Sequence, residues 1–365
     1  MGLGGGMVGN VEKLRDLTRD FDGVYNGLNV MVTGGYGFKG VWLSRWLERL
    51  GANVVRFGHP PRNNSNHHHY LYGESPTGDE MLDYKALQLA IANSQPAIIF
   101  HLAAKSIVSD GFKAPRATFE NNFMSALNLL DICRQRECVK GVVLVTTDKV
   151  YEDKDWCWGY RENDELGGYD PYSASKVAIE HLVRSYRRNF FQMIAVARAG
   201  NVIGGGDSSE HRLVPDIIRA AIAGRAVEID TPGATRPWQH VLEPLSGYLM
   251  LGAKLFDGNP EYAKAWNFGP EGSMTVREVL NLACQEWSRI DYCIRGAERH
   301  KDMVNLLKID STMAHNELGW YTRWSQSMAV GKTIGWYKDW FQNGVINTDA
   351  NIDHYSFLMN MKVKG

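Results

Sequence analysis

An apolar run at residues 28–33 (LNVMVT) breaks into a glycine-rich turn at 34–40 (GGYGFKG). A stretch with Val41, Leu43, Trp46, Leu47 and Leu50 at helical spacing follows at once. A compact apolar run bounded by glycine reads as a strand buried on both faces, and a strand passing through glycine directly into a helix is compatible with few folds. Gly34, Gly37 and Gly40 stand three apart. In that spacing the first glycine permits the tight turn, the second lets the backbone approach a pyrophosphate, and the third lets helix and strand pack closely. The helix start then offers free N–H groups and the positive end of its dipole to phosphate. A glycine turn without a ligand is the bland alternative, and the strand before it and the helix after it favour dinucleotide binding.

Residues 53–57 complete a strand-helix-strand unit, and apolar strands recur at 97–102, 141–146 and 193–198, with helical periodicity at 84–93, 118–136 and 173–189. This alternation predicts an α/β fold of the Rossmann type, a doubly wound parallel sheet with helices on both faces. At 365 residues the chain is long for one compact unit. We expect a lead-in with one short helix at 1–27, a dinucleotide-binding domain at 28–200, a smaller mixed α/β substrate lobe at 201–345 from which the chain crosses back to the first domain, and a tail at 346–365. His67, His68 and His69 read as part of an exposed polar loop at 60–79, and no metal site is expected.

With 40 Lys and Arg against 41 Asp and Glu the formal net charge is −1, so no bulk field draws the chain to nucleic acid or an anionic membrane. Its 5 cysteines have neither the density of a disulfide scaffold nor CxxC spacing. No apolar run approaches the roughly 20 residues of a spanning helix, and no leader pattern precedes residue 20. A cytoplasmic protein acting on a small molecule is the expectation.

The second strand ends in Arg56, Phe57, Gly58 and His59, with Arg62 nearby and without the acid that in NAD binders accepts the adenosine ribose. Local chemistry therefore leaves NAD and NADP both open. Tyr172 and Lys176, four apart at the start of a helix, share one face. An ammonium beside a phenol lowers its pKa and makes a general base for a hydroxyl proton. Thr147, Asp148 and Lys149 follow the strand at 141–146, at the edge where α/β sheets keep their chemistry. Glycine loop, strand-end threonine and tyrosine-lysine pair occur in the order of the extended short-chain dehydrogenase/reductase superfamily.

Longer stretches narrow this reading: Thr33 and Gly34 with 37–40 (GFKG), 147–149 (TDK), 158–163 (WGYREN), 167–173 (GGYDPYS), 198–207 (RAGNVIGGGD), 236–248 (RPWQHVLEPLSGY) and 266–270 (WNFGP). With these the chain resembles the CDP-D-glucose 4,6-dehydratase family from the glycine loop to about Trp340. The resemblance implies that bound NAD oxidises C4 of a nucleoside-diphosphate hexose, that water leaves across C5 and C6, and that the hydride returns to C6. It implies catalytic roles for Thr147, Asp148, Lys149, Tyr172 and Lys176, with Asp148 as acid toward the C6 hydroxyl. Lys149 is then the C5 base, if burial and a nearby Lys176 lower its pKa, or the stabiliser of the enolate. Cofactor contacts are implied for Gly34, Gly37, Phe38, Lys39, Gly40, Ala103, Ala104 and Asn122 as well as the tyrosine-lysine pair. Substrate contacts are implied for Lys105, Asn201, Gly205, Asp207, Arg212, Arg236 and Trp238. The arginines suit a diphosphate, while Trp238 and His240 read as pocket or core, core being the commoner place for an isolated aromatic. A homodimer or dimer of dimers is also implied, through the helices near 118–136 and 173–189.

The chain departs from the family pattern in several places. Gly35 and Tyr36 stand where His-Thr is common, Thr147 where serine is usual, Lys105 where glutamine is usual and Ser208 where tryptophan is; residues 301–304 (KDMV) replace a His-Glu segment. The first bears on cofactor affinity, while those at Lys105, Ser208 and 301–304 leave the exact sugar nucleotide open. A 4-epimerase would also oxidise C4 but has no use for Asp148 and Lys149, and a non-catalytic NAD-binding protein would not need Thr147, Tyr172 and Lys176 intact.

Overall fold

The computed structural model describes residues 15–59, 67–72, 80–295 and 308–361; Arg62 and residues 301–304 lie outside them. Six parallel strands form the central sheet: β1 (Asn29–Thr33), β2 (Asn53–Phe57), β3 (Ile98–His101), β4 (Gly141–Val145), β5 (Ile194–Arg198) and β6 (Ala265–Asn267), in the order β6-β5-β4-β3-β1-β2. This is the doubly wound sheet expected from the sequence. Its edge strand β6 comes from beyond residue 200, so the second half of the chain completes the first half's sheet.

The strands are apolar on both faces because helices cover both. Val30, Val32, Ile98, Phe100, Val143, Val145, Ala195 and Ala197 share one core with Trp42 and Trp46 of α1 (Phe38–Arg49), which covers β1 and β2, and with Leu245 and Leu249 of the helix Leu242–Phe256, which covers β3, β4 and β5. Met31, Ile99, Val142, Leu144, Ile194 and Val196 meet Leu87 and Ile91 of α3 (Tyr84–Ser94) and Ile179 and Val183 of α4 (Pro171–Asn189). The order reverses between β1 and β3, so the connections leave in opposite directions and open a crevice at the strands' carboxyl ends.

Two expectations are corrected. The histidines are not an exposed loop: His67–Tyr72 form a short helix, α2, with His67 and His68 buried. The His67 ring sits 5.3 Å from that of Trp42 and 5.2 Å from that of Trp336, and its Nε2 lies 2.8 Å from the Thr348 hydroxyl. Burial pushes its pKa down to about 3, so the ring is neutral. Residues expected as a tail instead form a helix, Thr348–Asn360, that docks on α1. Arg45 and Arg49 of α1 pair with its Asp349 and Asp353, the latter at 2.7 Å, while Ile352 and Tyr355 enter the core.

Candidate active site

A cleft of about 1550 Å³ opens at the sheet's carboxyl edge, and the glycine loop forms one wall. Gly34 has φ +68°, and a Cβ there would lie 2.7 Å from the Ala103 nitrogen; at Gly40 a Cβ would lie 2.1 Å from the Gly34 carbonyl. Both positions therefore require glycine, one for the turn and one for the close approach of α1 to β1. Gly37 caps α1 without any side-chain hydrogen bond, so the helix start faces the cleft with its N–H groups uncovered. That arrangement fits a dinucleotide pyrophosphate.

Most of the residues singled out from sequence meet here. Gly34, Gly37, Phe38, Lys39, Gly40, Ala103, Ala104 and Lys105 line the cleft on the glycine-loop side, and Thr147, Asp148, Lys149, Tyr172 and Lys176 line it at the end of β4 and the start of α4. Asn201, Asp207, Arg212, Arg236 and Trp238 line the side formed by the second half of the chain. Two do not. Asn122 is fully buried, accepting from the Lys105 N–H at 2.7 Å and donating to the Lys105 carbonyl at 3.2 Å and the Ser175 hydroxyl at 2.9 Å; it is a strut between the Lys105 loop and α4. Gly205 lies against Trp336, 2.1 Å from where its Cβ would be, and its carbonyl accepts from the Trp42 indole at 2.9 Å. Trp238 is on the cleft wall, its indole N–H donating to the Met274 carbonyl at 3.1 Å, whereas His240 is core.

Pro171 and the Asp170 cap, which accepts from the Ser173 N–H at 3.0 Å, start α4 so that Tyr172 and Lys176 face β4. Their electrostatics differ from the expectation. Burial pushes the Tyr172 phenol up to about 12, with Thr147 pulling it down and Asp148 pushing it up; it is not lowered by Lys176. Lys176 donates to the Val145 carbonyl at 2.9 Å, and burial, reinforced by the charge of Lys39, brings its own pKa down to about 7. Lys39 is likewise lowered to about 8, by burial and then Arg212, against the pull of Asp148 and Asp207.

Asp148 is buried, and burial raises its pKa against the Thr147 hydroxyl, which donates to it at 3.0 Å, and against Lys149 and Lys39. Its carboxylate lies on Gly200, where a Cβ would stand 1.8 Å from Oδ2. Lys149 is exposed at the cleft's lip, so the burial that the C5-base role called for is absent, and the like charge acting on Lys176 is Lys39. Sequence reasoning missed His59, His67, Glu80 and Met81 at the far end of the cleft. The dense aromatic run at 67–72 (HHHYLY) was the available signal for His67; nothing local marked the others.

Comparison with known proteins agrees with this geometry. The CDP-glucose 4,6-dehydratase of Salmonella typhimurium is 37% identical over 325 residues, covering 85% of this chain and 90% of that protein. The UDP-glucose 4-epimerase from Brucella ovis, solved in complex with NAD, shares the fold with a TM-score of 0.74 at 20% identity, over 85% of this chain and 98% of that one. The dTDP-glucose 4,6-dehydratase from Bacillus anthracis, also in complex with NAD, does so with a TM-score of 0.69 at 20% identity, over 86% and 97%. Residues 30–269 match the family described as NAD dependent epimerase/dehydratase, and they carry both the glycine cradle and the Thr147, Tyr172 and Lys176 cluster; the chain belongs to that family.

Proposed function

We propose that this chain is an NAD-dependent hydro-lyase that converts CDP-D-glucose to CDP-4-dehydro-6-deoxy-D-glucose. The observation that carries the reading is Asp148, a buried carboxyl held toward its protonated form in the same cleft as Tyr172 and Lys176. A carboxyl whose pKa burial raises is better suited than a solvated one to protonate a departing C6 hydroxyl. Gly34, Gly37, Phe38, Lys39, Gly40, Ala103 and Ala104 would hold NAD, which when bound would supply the oxidant at C4 and the reductant at C6. Tyr172, with Thr147 and Lys176 beside it, takes the C4 hydroxyl proton. Asp148 gives its proton to the C6 oxygen. The C5 proton passes to solvent water at the cleft's lip, where the exposed Lys149 steadies the enolate that forms. Arg212 and Arg236 suit the diphosphate, with Lys105, Asn201, Asp207 and Trp238 around the sugar and base.

The 4-epimerase reading draws on solved neighbours of that name, which share the fold at 20% identity. It leaves Asp148 without a task. Assembly as a homodimer or dimer of dimers belongs to the proposal, supported by the exposed Phe112, Phe119 and Met124 on neighbouring helical segments. The test is incubation with CDP-, dTDP-, UDP- and GDP-hexoses, watching the alkali-dependent absorbance of a 4-keto-6-deoxy product. CDP-glucose should give it, and Asp148→Asn should oxidise C4 yet stall before elimination. A C4-epimerised hexose with no dehydrated product would decide for the epimerase.

A further inference from the structure

In dinucleotide-binding units the end of the second strand meets the adenosine ribose, where an acid selects NAD and an arginine accommodates the 2′-phosphate of NADP. Here β2 carries Arg56 two residues before Gly58, which lines the cleft, and Arg56 itself is not on the wall. Its side chain runs over Gly35, where a Cβ would stand 2.8 Å from Arg56 Cβ and 3.0 Å from its Cγ. Beyond Gly35 the guanidinium pairs with Glu48 of α1 and lies 4.0 Å from the centre of the Tyr72 ring in α2, leaving the side chain 15% exposed. The Tyr72 hydroxyl donates to Glu48 Oε2 at 2.9 Å, so one carboxylate holds both partners.

We propose that Glu48 is a cofactor-selecting latch: it keeps Arg56 against α2 and off the ribose, so that the chain takes NAD and rejects NADP. The inference rests on the NAD-binding reading above. A 2′-phosphate brings about −1.5 to −2 charges and needs a cationic partner. With Arg56 latched, that end of the cleft presents, among the described residues, His59 and Glu80, 3.9 Å apart, and the carboxylate repels phosphate. Arg45 also touches Glu48, at 3.4 Å, but its Nε and second terminal nitrogen hold Asp349 at 2.7 and 2.5 Å. Removing the Glu48 charge therefore breaks the ion pair of Arg56, leaving the Tyr72 ring against its guanidinium, and leaves Arg45 in place.

Isothermal titration of the whole chain with NAD and with NADP tests this. The parent should bind NAD at least tenfold more tightly. Glu48→Gln should raise NADP affinity about 10- to 100-fold, the worth of one charge-assisted pair, with NAD affinity unchanged. Adding Arg56→Ala should abolish the gain. Arg56→Ala alone should leave NAD affinity as it was, a readout that does not depend on how Glu48→Gln folds. Equal affinities in the parent, an unchanged ratio in Glu48→Gln, a gain that survives Arg56→Ala, or weaker NAD binding in Arg56→Ala alone would each overturn the latch. A parent that binds neither dinucleotide would overturn the proposed function along with it.

Discussion

Replacing Lys176 by methionine removes an ammonium that the fold buries, and the consequence for stability can be worked out with its sign. Lys176 is 3% exposed, and burial followed by the Lys39 charge carries its pKa from 10.5 to about 7, with Glu180 opposing. Below about pH 7 folded and unfolded chains both hold the proton, and the folded chain bears the full cost of the buried charge. Between about 7 and 10.5 only the unfolded chain holds it, so stability rises with pH across that window; above 10.5 both forms are neutral and the cost is gone. At about 1.4 kcal/mol per pH unit the window amounts to on the order of 5 kcal/mol. Against this stands the hydrogen bond from Nζ to the Val145 carbonyl at 2.9 Å. Leaving that carbonyl unpaired costs about 1–3 kcal/mol. Lys176→Met should therefore be more stable than the parent at pH 6 by about 2–4 kcal/mol, and less stable above pH 10, where only the lost hydrogen bond counts. Guanidinium unfolding followed by tryptophan fluorescence at pH 6, 8 and 10, on both proteins without added dinucleotide, gives the difference directly. A difference that is flat across pH, or a variant already weaker at pH 6, would show that the ammonium is charged at little cost, and the argument for a strained lysine would fail.

Tyr172→Phe should abolish C4 oxidation while keeping NAD affinity, because one hydroxyl is removed without emptying the cofactor cradle; single-turnover absorbance of reduced nicotinamide at the parent rate would take Tyr172 out of the mechanism. Gly200→Ala puts a Cβ 1.8 Å from Asp148 Oδ2, so the carboxyl must move; elimination should fall at least tenfold, toward the roughly 10²- to 10⁴-fold worth of a positioned acid, with NAD affinity unchanged by titration. Lys149→Met should slow C5 hydrogen exchange with deuterated solvent much more than C4 oxidation. Lys149→Glu should fail to restore that exchange if the lysine steadies the enolate, and should restore part of it if the lysine is the base. Glu180→Gln strips the charge partner from Arg198, whose Nε donates to Glu180 at 2.8 Å deep in the core; about 3–5 kcal/mol of stability should be lost by denaturant titration, and a neutral outcome would show that the Tyr151 hydroxyl, 2.6 Å from Arg198, suffices.

The sheet and its cradle were legible in the sequence because they rest on short-range rules. A strand buried on both faces must be apolar along its length, as 141–145 is, and the turn after β1 needs glycine where a Cβ would strike Ala103 or the Gly34 carbonyl. Thr147 and the tyrosine-lysine pair were legible for the same reason, each tied to one strand end or one helix turn. Tertiary structure decided everything that depends on what lies next to a residue from elsewhere in the chain. It put His67 against Thr348 and Arg45 against Asp349, some 300 positions away, with residues 67–72 of the presumed loop in a helix and residues 348–360 of the presumed tail in a docked one. It left Lys149 in solvent, set Lys39 as the charge acting on Lys176, and raised Tyr172 where spacing alone predicted the opposite. It also turned Arg56 onto Glu48 and the Tyr72 ring, off the cleft wall. Spacing along a chain fixes which side chains share a face, but a pKa or an ion pair depends on local dielectric and on partners in space, and those exist only once the chain has packed.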